Sequence, residues 1–218
     1  TQTGLGASST LIVGLVHALS NMVGKRPTAL EIAATAHHIE REIVGDAGGL
    51  QDQYIAALGG IQILKIEQDG TVNCEHLVIE EHNRHELERG LVLIYSKQDR
   101  ASAEIINSQQ QDLRNTLEIY DEIKNLGIRS VDILKKADIE KFGLIMDEHW
   151  KLKRSLSGSM TNTELDEAYL FLKKLGSSGG KIIGAGGGGF FMMAVPGKVD
   201  EYLEKARKNG FRNLDWRF

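Results

Sequence analysis

The chain has 218 residues, 41% of them hydrophobic and 26% charged, with 24 glycines, two prolines and a single cysteine, Cys74. This composition excludes low-complexity disorder and collagen, one cysteine excludes a disulfide framework, and a net charge of −4 argues against a nucleic-acid or anionic-membrane partner. The longest apolar run, 190–196, is too short to cross a membrane, so the sequence predicts a soluble, cytoplasmic protein.

Fifteen of the 24 glycines fall into three separated segments, 4–6, 45–60 and 176–189. Glycine is the usual residue where a backbone turns tightly or approaches a ligand closely. The three clusters therefore predict three loops that meet at one site. The chain opens directly on the first of them, with no initiator methionine and no preceding strand, and this predicts that it is a fragment.

The first half of the chain is predicted as two helices followed by antiparallel strands. Apolar spacing and a capping box define the helices, whereas alternating apolar residues define the strands. The predicted helices are 8–24 and 28–44, and the predicted strands are 61–68, 72–79 and 90–95. A charged turn is expected between the second and third strands.

The second half is predicted as a helical region followed by a mixed tail. Helical spacing extends from 102 to about 154, with breaks near Gly127 and Ser130. The tail reads as a helix, two strands, a helix and a strand, at 163–176, 181–183, 190–195, 199–209 and 211–218. This order is typical of an α+β fold with helices on one face of an antiparallel sheet.

The segment 4–10, Gly-Leu-Gly-Ala-Ser-Ser-Thr, leads from a glycine turn into a hydroxyl-rich helix start. Free N–H groups and the helix dipole favour an anion there, and a serine hydroxyl can ligate Mg²⁺ beside a phosphate. No Gly-Lys-Ser/Thr follows, so the segment is not a Walker A loop. An ordinary capped helix is the alternative interpretation.

Two carboxylates precede and follow the second glycine cluster. Glu40 lies near a helix end, and Asp52 lies twelve positions later in a loop, between Gln51 and Gln53. This arrangement offers a metal ligand and a base close together. The alternative is that both are ordinary solvated acids on polar surfaces.

The segment 184–189, Gly-Ala-Gly-Gly-Gly-Gly, satisfies the G-x-G-x-x-G pattern of dinucleotide-binding proteins. That motif must open a helix, but here a β-like run closed by Pro196 follows, which excludes an NAD fingerprint. A tight loop that closes on a site is expected instead. The seven histidines include no H-E-x-x-H pattern, so no zinc enzyme is predicted.

Together the three glycine segments resemble the GHMP small-molecule kinase family. Residues 4–9 are similar to its G-L-G-S-S phosphate loop, and 181–190 are similar to its C-terminal glycine-rich motif. Residues 39–42, 49–54 and 157–166 look most like its heptose 7-phosphate kinase branch. The family's N-terminal strands, with a P-x-R and glycine-rich sugar segment, have no match here, so the resemblance implies an N-terminally truncated kinase.

Two positions depart from the family pattern. Ala7 replaces the usual first serine of the phosphate loop, which leaves Ser8 aligned with the metal-binding one. Lys97 stands where the branch commonly has glycine, and this leaves the identity of the substrate less certain.

The resemblance implies a GHMP-kinase-like α+β fold, with antiparallel sheets, helices packed on one face and a ferredoxin-like C-terminal half. It also implies a division into the remainder of an N-terminal kinase domain, 1–95, and a C-terminal domain, 96–218. The residues implied to bind ATP are Gly4, Leu5, Gly6, Ala7, Ser8, Ser9, Gly186 and Gly187. Ser8 and Glu40 are implied Mg²⁺ ligands, and Asp52 is the implied base.

The implied reaction is ATP-dependent phosphorylation of the anomeric hydroxyl of D-glycero-D-manno-heptose 7-phosphate, giving a 1,7-bisphosphate for cell-surface carbohydrate synthesis. Gln51, Gln53, Arg100 and Ser102 are candidate contacts to this sugar phosphate. Two alternatives stay open: another sugar 1-kinase, of the fucose or galactose type, or a non-catalytic sugar- and ATP-binding protein of the same fold. The oligomeric state also stays open, as does whether the fragment folds or is active alone.

Overall fold

A computed structural model of the chain describes residues 4–46, 48–98, 113–156 and 160–218. The chain divides into two compact units, one formed by Leu5–Val78 and the other by Ile79–Phe218 together with Gly4. Helices and antiparallel sheets are mixed along the chain, so the predicted α+β class is confirmed. None of the helices in the described ranges is long and apolar enough to cross a membrane.

In its described residues, the first unit contains three α-helices, a π-helical turn and a β-hairpin. In chain order these are α1 (Ala7–Met22), α2 (Ala29–His38), the π-helical turn (Ile39–Ile43), α3 (Gln51–Leu58), β1 (Gln62–Ile66) and β2 (Val72–His76). The predicted capping box is confirmed, because Thr28 Oγ1 accepts the Glu31 N–H at 3.3 Å and Glu31 accepts the Thr28 N–H at 2.7 Å. The predicted helix to about Val44 is confirmed at its end, since the chain stays helical to Ile43 with Val44 as C-cap, but its last turn is π-helical rather than α-helical.

The core of the first unit is small. Its buried members are Val13, Ile32 and Ala36, contributed by α1 and α2. A stripe along the other side of α1 is exposed, with Leu11, Leu15, Leu19 and Met22. The hairpin holds Cys74, which lies opposite Leu64 and is half-buried.

The second unit contains five α-helices and a four-stranded antiparallel sheet in its described residues. In chain order these are α4 (Glu81–Gly90), β3 (Leu91–Tyr95), α5 (Leu113–Lys135), α6 (Ile139–Leu156), α7 (Thr163–Lys174), β4 (Gly179–Ile182), β5 (Phe190–Ala194), α8 (Val199–Lys208) and β6 (Asn213–Leu214). The strand order is β4-β5-β3-β6. Pairing of β3 with β5 places 91–95 in this unit, while the domain division at residue 95 stays a prediction.

Three predictions for this unit are wrong. The charged turn before β3 is the helix α4, which is supported by pairs such as Arg89–Glu86 at 3.3 Å and buries only Leu87 and Gly90. Helix α5 continues through Gly127 and Ser130, and the chain turns after Lys135 instead. The last strand has only two residues, Asn213–Leu214, rather than eight.

Strand residues of the second unit alternate between two apolar clusters, as the period of a β-strand requires. Phe191 and Met193 of β5 face the larger cluster, which also contains Trp150 of α6 and Leu172 of α7. Ala194 faces the smaller cluster, beside residues of α4 and α6. This sheet carries the glycine-rich loop between β4 and β5.

Candidate active site

Helix α1 begins in a backbone conformation that suits anion binding. Gly6 has φ 66°, a left-handed conformation that disfavours other residues, and Thr10 N–H makes the first helical hydrogen bond to the Gly6 carbonyl at 2.9 Å. No described side chain caps the helix, and its first turn holds no acidic residue. The N–H groups at this end are therefore oriented toward any anion that binds before Ala7.

Glu40 is the centre of a buried polar cluster in the first unit. It lies in the π-helical turn, and only 2% of its surface is exposed. Its Oε1 accepts the Ser8 hydroxyl at 2.9 Å, and its Oε2 accepts the Ser9 hydroxyl at 2.8 Å and the Gln53 amide at 2.5 Å. The structure thus brings two predicted metal ligands, Ser8 and Glu40, into direct contact.

The charge of Glu40 is stabilised by its neighbours. Burial by itself raises the pKa of this carboxyl, but hydrogen bonds from Gln53, Ser9 and Ser8, with the charge of Arg41, outweigh burial and lower the pKa below its ordinary value. Arg41 Nη2 lies 4.0 Å from Glu40 Oε2. Glu40 is therefore an ionised, oriented oxygen donor at neutral pH.

The geometry of this pair fits a Mg²⁺ site. Magnesium–oxygen distances of about 2.0–2.1 Å in an octahedron place adjacent ligand oxygens about 2.9 Å apart. Ser8 Oγ and Glu40 Oε1 are 2.9 Å apart. The described residues contain no group of three His, Cys, Asp or Glu side chains that could hold a metal. A two-ligand site matches the tendency of Mg²⁺ to take its remaining ligands from phosphates and water.

Asp52 lies beside the glycine turn, in the first turn of α3, and is exposed. A Cβ placed on Gly6 would lie 3.7 Å from the Cβ and Cγ of Asp52, so the two residues are neighbours. The carboxylate is therefore accessible next to the start of α1, as a base for a bound ligand must be.

The two glutamines that flank Asp52 differ. Gln51 is exposed, whereas Gln53 is fully buried and binds both Glu40 and, at 3.2 Å, the Ser9 hydroxyl. Its Oε1 has no hydrogen-bond partner among the described residues. The sequence gives no signal for this contact, because the partners of Gln53 lie 13 and 44 positions away.

The glycine-rich loop of the second unit requires its glycines. Gly184, Gly186, Gly187, Gly188 and Gly189 all have positive φ. The Gly187 N–H donates to the Met160 carbonyl and the Gly189 N–H to the Gln98 carbonyl, each at 2.8 Å. These contacts hold the loop in a fixed, tight conformation.

Neighbouring backbone leaves no room for a side chain at two glycines of this loop. A Cβ on Gly188 would lie 2.7 Å from the Gln98 carbonyl oxygen, and one on Gly184 would lie 2.9 Å from the Gly4 carbonyl oxygen. The first predicted ATP-binding residue, Gly4, therefore lies against this loop, in the same unit. Arg100 and Ser102 lie outside the described residues.

The fold, with its hydroxyl-rich helix start and glycine-rich loop, is that of small-molecule kinases. Residues 1–60 match the GHMP kinases N terminal domain, and residues 130–212 match the GHMP kinases C terminal domain. The chain belongs to the GHMP kinase family.

Individual relatives agree with this assignment. The chain is 33% identical over 209 residues to the D-glycero-alpha-D-manno-heptose 7-phosphate kinase of Campylobacter jejuni, covering 94% of this chain and 62% of that protein. It is 30% identical over 193 residues to the mevalonate kinase of Saccharolobus solfataricus, covering 85% and 56% respectively.

A solved structure shows the same fold. A D-glycero-D-manno-heptose 1-phosphate kinase from Bacteroides thetaiotaomicron superposes with a TM-score of 0.79 at 26% identity, over 100% of this chain and 61% of that one. The chain thus spans about three fifths of the length of these relatives.

Proposed function

We propose that the protein containing this chain is an ATP-dependent sugar kinase that phosphorylates the anomeric hydroxyl of D-glycero-D-manno-heptose 7-phosphate. The contact of Ser8 and Ser9 with the buried Glu40, beside the exposed Asp52, carries the proposal. The names of a curated relative and a solved structure, both heptose phosphate kinases, support the substrate class. The product would be the 1,7-bisphosphate, a cytoplasmic precursor for cell-surface carbohydrate.

The residues of the first unit divide the work of phosphoryl transfer. Mg²⁺, when bound, supplies positive charge that neutralises the phosphate oxygens of ATP, and Ser8 and Glu40 would hold it. The free N–H groups at the start of α1 bind phosphate oxygens and align them. Leu5 and Ala7 contribute backbone to the phosphate loop before α1, and Gly6 allows that loop to turn.

Asp52 acts as the base in this proposal. It accepts the proton of the attacking hydroxyl as the new O–P bond forms, and the bond to ADP breaks. An anomeric hydroxyl is more acidic than other sugar hydroxyls, so a carboxylate is a sufficient base. Gln51, which is exposed on the same turn, would contact the sugar.

In the second unit, Gly186 and Gly187 bring backbone rather than side chains to the nucleotide. A positive φ at both positions and the hydrogen bond from Gly187 to Met160 keep the loop in shape. The domain division at residue 95 stays a prediction, because β3 (Leu91–Tyr95) pairs with β5 in the second unit.

The proposal is tested in the full-length protein with Asp52→Asn. Turnover should fall by about 10²–10⁴-fold, the usual contribution of a general base, while Mg-ATP affinity stays unchanged. Glu75→Gln, an exposed acid of the hairpin, is the matched control and should keep full turnover. Unchanged ADP release by Asp52→Asn would rule out the base assignment.

Another sugar 1-kinase, of the fucose or galactose type, is the alternative, and one relative supports it. The bifunctional fucokinase/GDP-fucose pyrophosphorylase of Arabidopsis thaliana is 26% identical over 199 residues. ADP release measured with heptose 7-phosphate, fucose and galactose separates the alternatives. Activity on the unphosphorylated sugars alone would replace the proposed substrate, and ATP binding without turnover on any of them would indicate a non-catalytic protein.

A further inference from the structure

Two lysines of the second unit lie half-buried at the beginning of the glycine-rich loop. Lys153, in α6, donates from Nζ to the Gly184 carbonyl at 2.5 Å. Lys181, in β4, lies three residues before Gly184 and pairs in the strand register with Met192. Helix α6 packs against β4, so two cationic side chains converge on one region of this unit.

Neither lysine has an acidic partner among the described residues. Two acids of α6 and α7 are engaged elsewhere: Asp147 binds Lys151 and Lys173, each at 2.9 Å, and Asp166 binds Arg154 at 3.0 Å. Placing two cations close together with little water and no counterion costs free energy. Among the described residues, these two cations therefore lack a counterion, whereas Asp147 and Asp166 nearby are paired.

The remaining titratable group of the cluster is neutral. Burial, with the charges of Lys181 and Lys153, lowers the pKa of His149 to about 3. Its Nδ1 has no hydrogen-bond partner among the described residues. Burial lowers the pKa of Lys181 to about 8, and burial with the charge of Lys181 lowers that of Lys153 to about 8, so both lysines are mainly protonated at pH 7.

We infer that Lys153 and Lys181 form a binding site for a phosphate group at the beginning of the glycine-rich loop. A phosphate monoester carries nearly two negative charges at neutral pH and accepts several hydrogen bonds, so it balances both ammonium groups. The hydrogen bond to Gly184 holds Lys153 against the loop, and the glycines of the loop let an anion approach the backbone closely.

The phosphate could come from two sources. One is the distal phosphate of a sugar phosphate acceptor, and the other is the phosphate chain of ATP. This choice rests on the proposed function, whereas the anion site itself rests only on the lysines, their burial and their lack of counterions. Binding of inorganic phosphate therefore tests the site without any turnover.

The test uses Lys153→Met and Lys181→Met in the full-length protein, with Lys174→Met, an exposed lysine of α7, as the matched control. Isothermal titration with inorganic phosphate should show at least a tenfold loss of affinity for each site variant and none for the control. Unchanged phosphate affinity in both site variants would overturn the inference.

Thermal unfolding separates binding from a structural role. Without phosphate, each site variant should have a Tm equal to or higher than that of the parent protein, because a cation without a described counterion has been removed. Phosphate should raise the Tm of the parent protein but not that of the site variants. A lower Tm that phosphate still raises in parallel with the parent would assign the lysines to folding and contradict the site. Lys181→Arg keeps the charge and should keep phosphate binding.

Steady-state kinetics then identify the source. A higher KM for the phosphorylated sugar at unchanged KM for ATP assigns the site to the acceptor, and the reverse result assigns it to the nucleotide. If phosphate binds through both lysines but no sugar is phosphorylated, the anion site stands and the proposed kinase function fails.

Discussion

The two units each contain a polar cluster with buried charge, and the clusters treat that charge in opposite ways. In the first unit, Glu40 accepts hydrogen bonds from three side chains. In the second, Lys153 binds one carbonyl, and neither it nor Lys181 pairs with an acid that the structure describes. A charge that accepts hydrogen bonds within the chain is already stabilised and oriented. A charge that lacks a counterion among the described residues is instead stabilised by the ligand it binds.

Among the substitutions that probe this difference, Glu40→Gln should change the Mg²⁺ requirement and the stability most. The substitution removes an anionic metal ligand and places a second amide against Gln53, so the Mg²⁺ concentration for half-maximal ADP release should rise at least tenfold. Loss of charge-assisted hydrogen bonds should also lower the free energy of unfolding by about 2 kcal/mol, measured by urea denaturation. The exposed neighbour variant Glu42→Gln should change neither. An unaltered Mg²⁺ requirement would show that Glu40 is only structural.

Gln53→Leu should have a smaller effect, because Gln53 acts through Glu40. Removing its amide leaves Glu40 Oε2 with one donor fewer and should reduce stability by about 1 kcal/mol. The pH at which acid destabilises the protein should rise, since the hydrogen bond that lowers the pKa of Glu40 is gone. Gln68→Leu, in the exposed hairpin turn, controls for the change in polarity. An acid transition that stays in place would show that Gln53 does not set the charge of Glu40.

The two clusters should also differ in how their contributions to stability respond to pH. Glu40 has a folded-state pKa below its ordinary value of 4.5, so its contribution to stability is complete above that pH and is lost as pH falls through the folded-state pKa. Lys153 and Lys181 have folded-state pKa values of about 8 against 10.5, so unfolding takes up protons between these values. Their contribution to stability therefore rises with pH from about 8 to 10.5.

Urea denaturation from pH 3 to pH 10 measures both responses. The double variant Lys153→Met/Lys181→Met should lose the rise above pH 8 and keep the loss at acid pH. If the rise persists in that variant, the lysines are not the groups that titrate there.

Local patterns made much of the fold predictable. The capping box at Thr28–Glu31 and the hairpin 62–76 depend on residues close in sequence, so the sequence predicts them well. Helix α4 was missed because it is almost entirely polar and shows no apolar period. A helix of that kind is stabilised by pairs of charges, which a search for hydrophobic spacing does not detect.

The site was predictable in its motifs and not in its contacts. The glycine loops and the pair Ser8 and Glu40 follow from a family resemblance, and the structure brings that pair together. Two features depend on side chains far apart in sequence: the burial of Gln53 against Glu40, and the lack of a counterion for Lys153 and Lys181 in the part of the chain that the structure describes. Absence of a partner is a property of three-dimensional packing, which spacing along one chain does not show.

The half-buried thiol of Cys74 has a practical consequence. Burial raises its pKa, so it is a weak nucleophile while the hairpin stays closed. It is also the only cysteine of this chain and lies in the first unit. Within this chain, the rate of reaction with a thiol reagent therefore reports on exposure of the hairpin alone, because the second unit has no thiol.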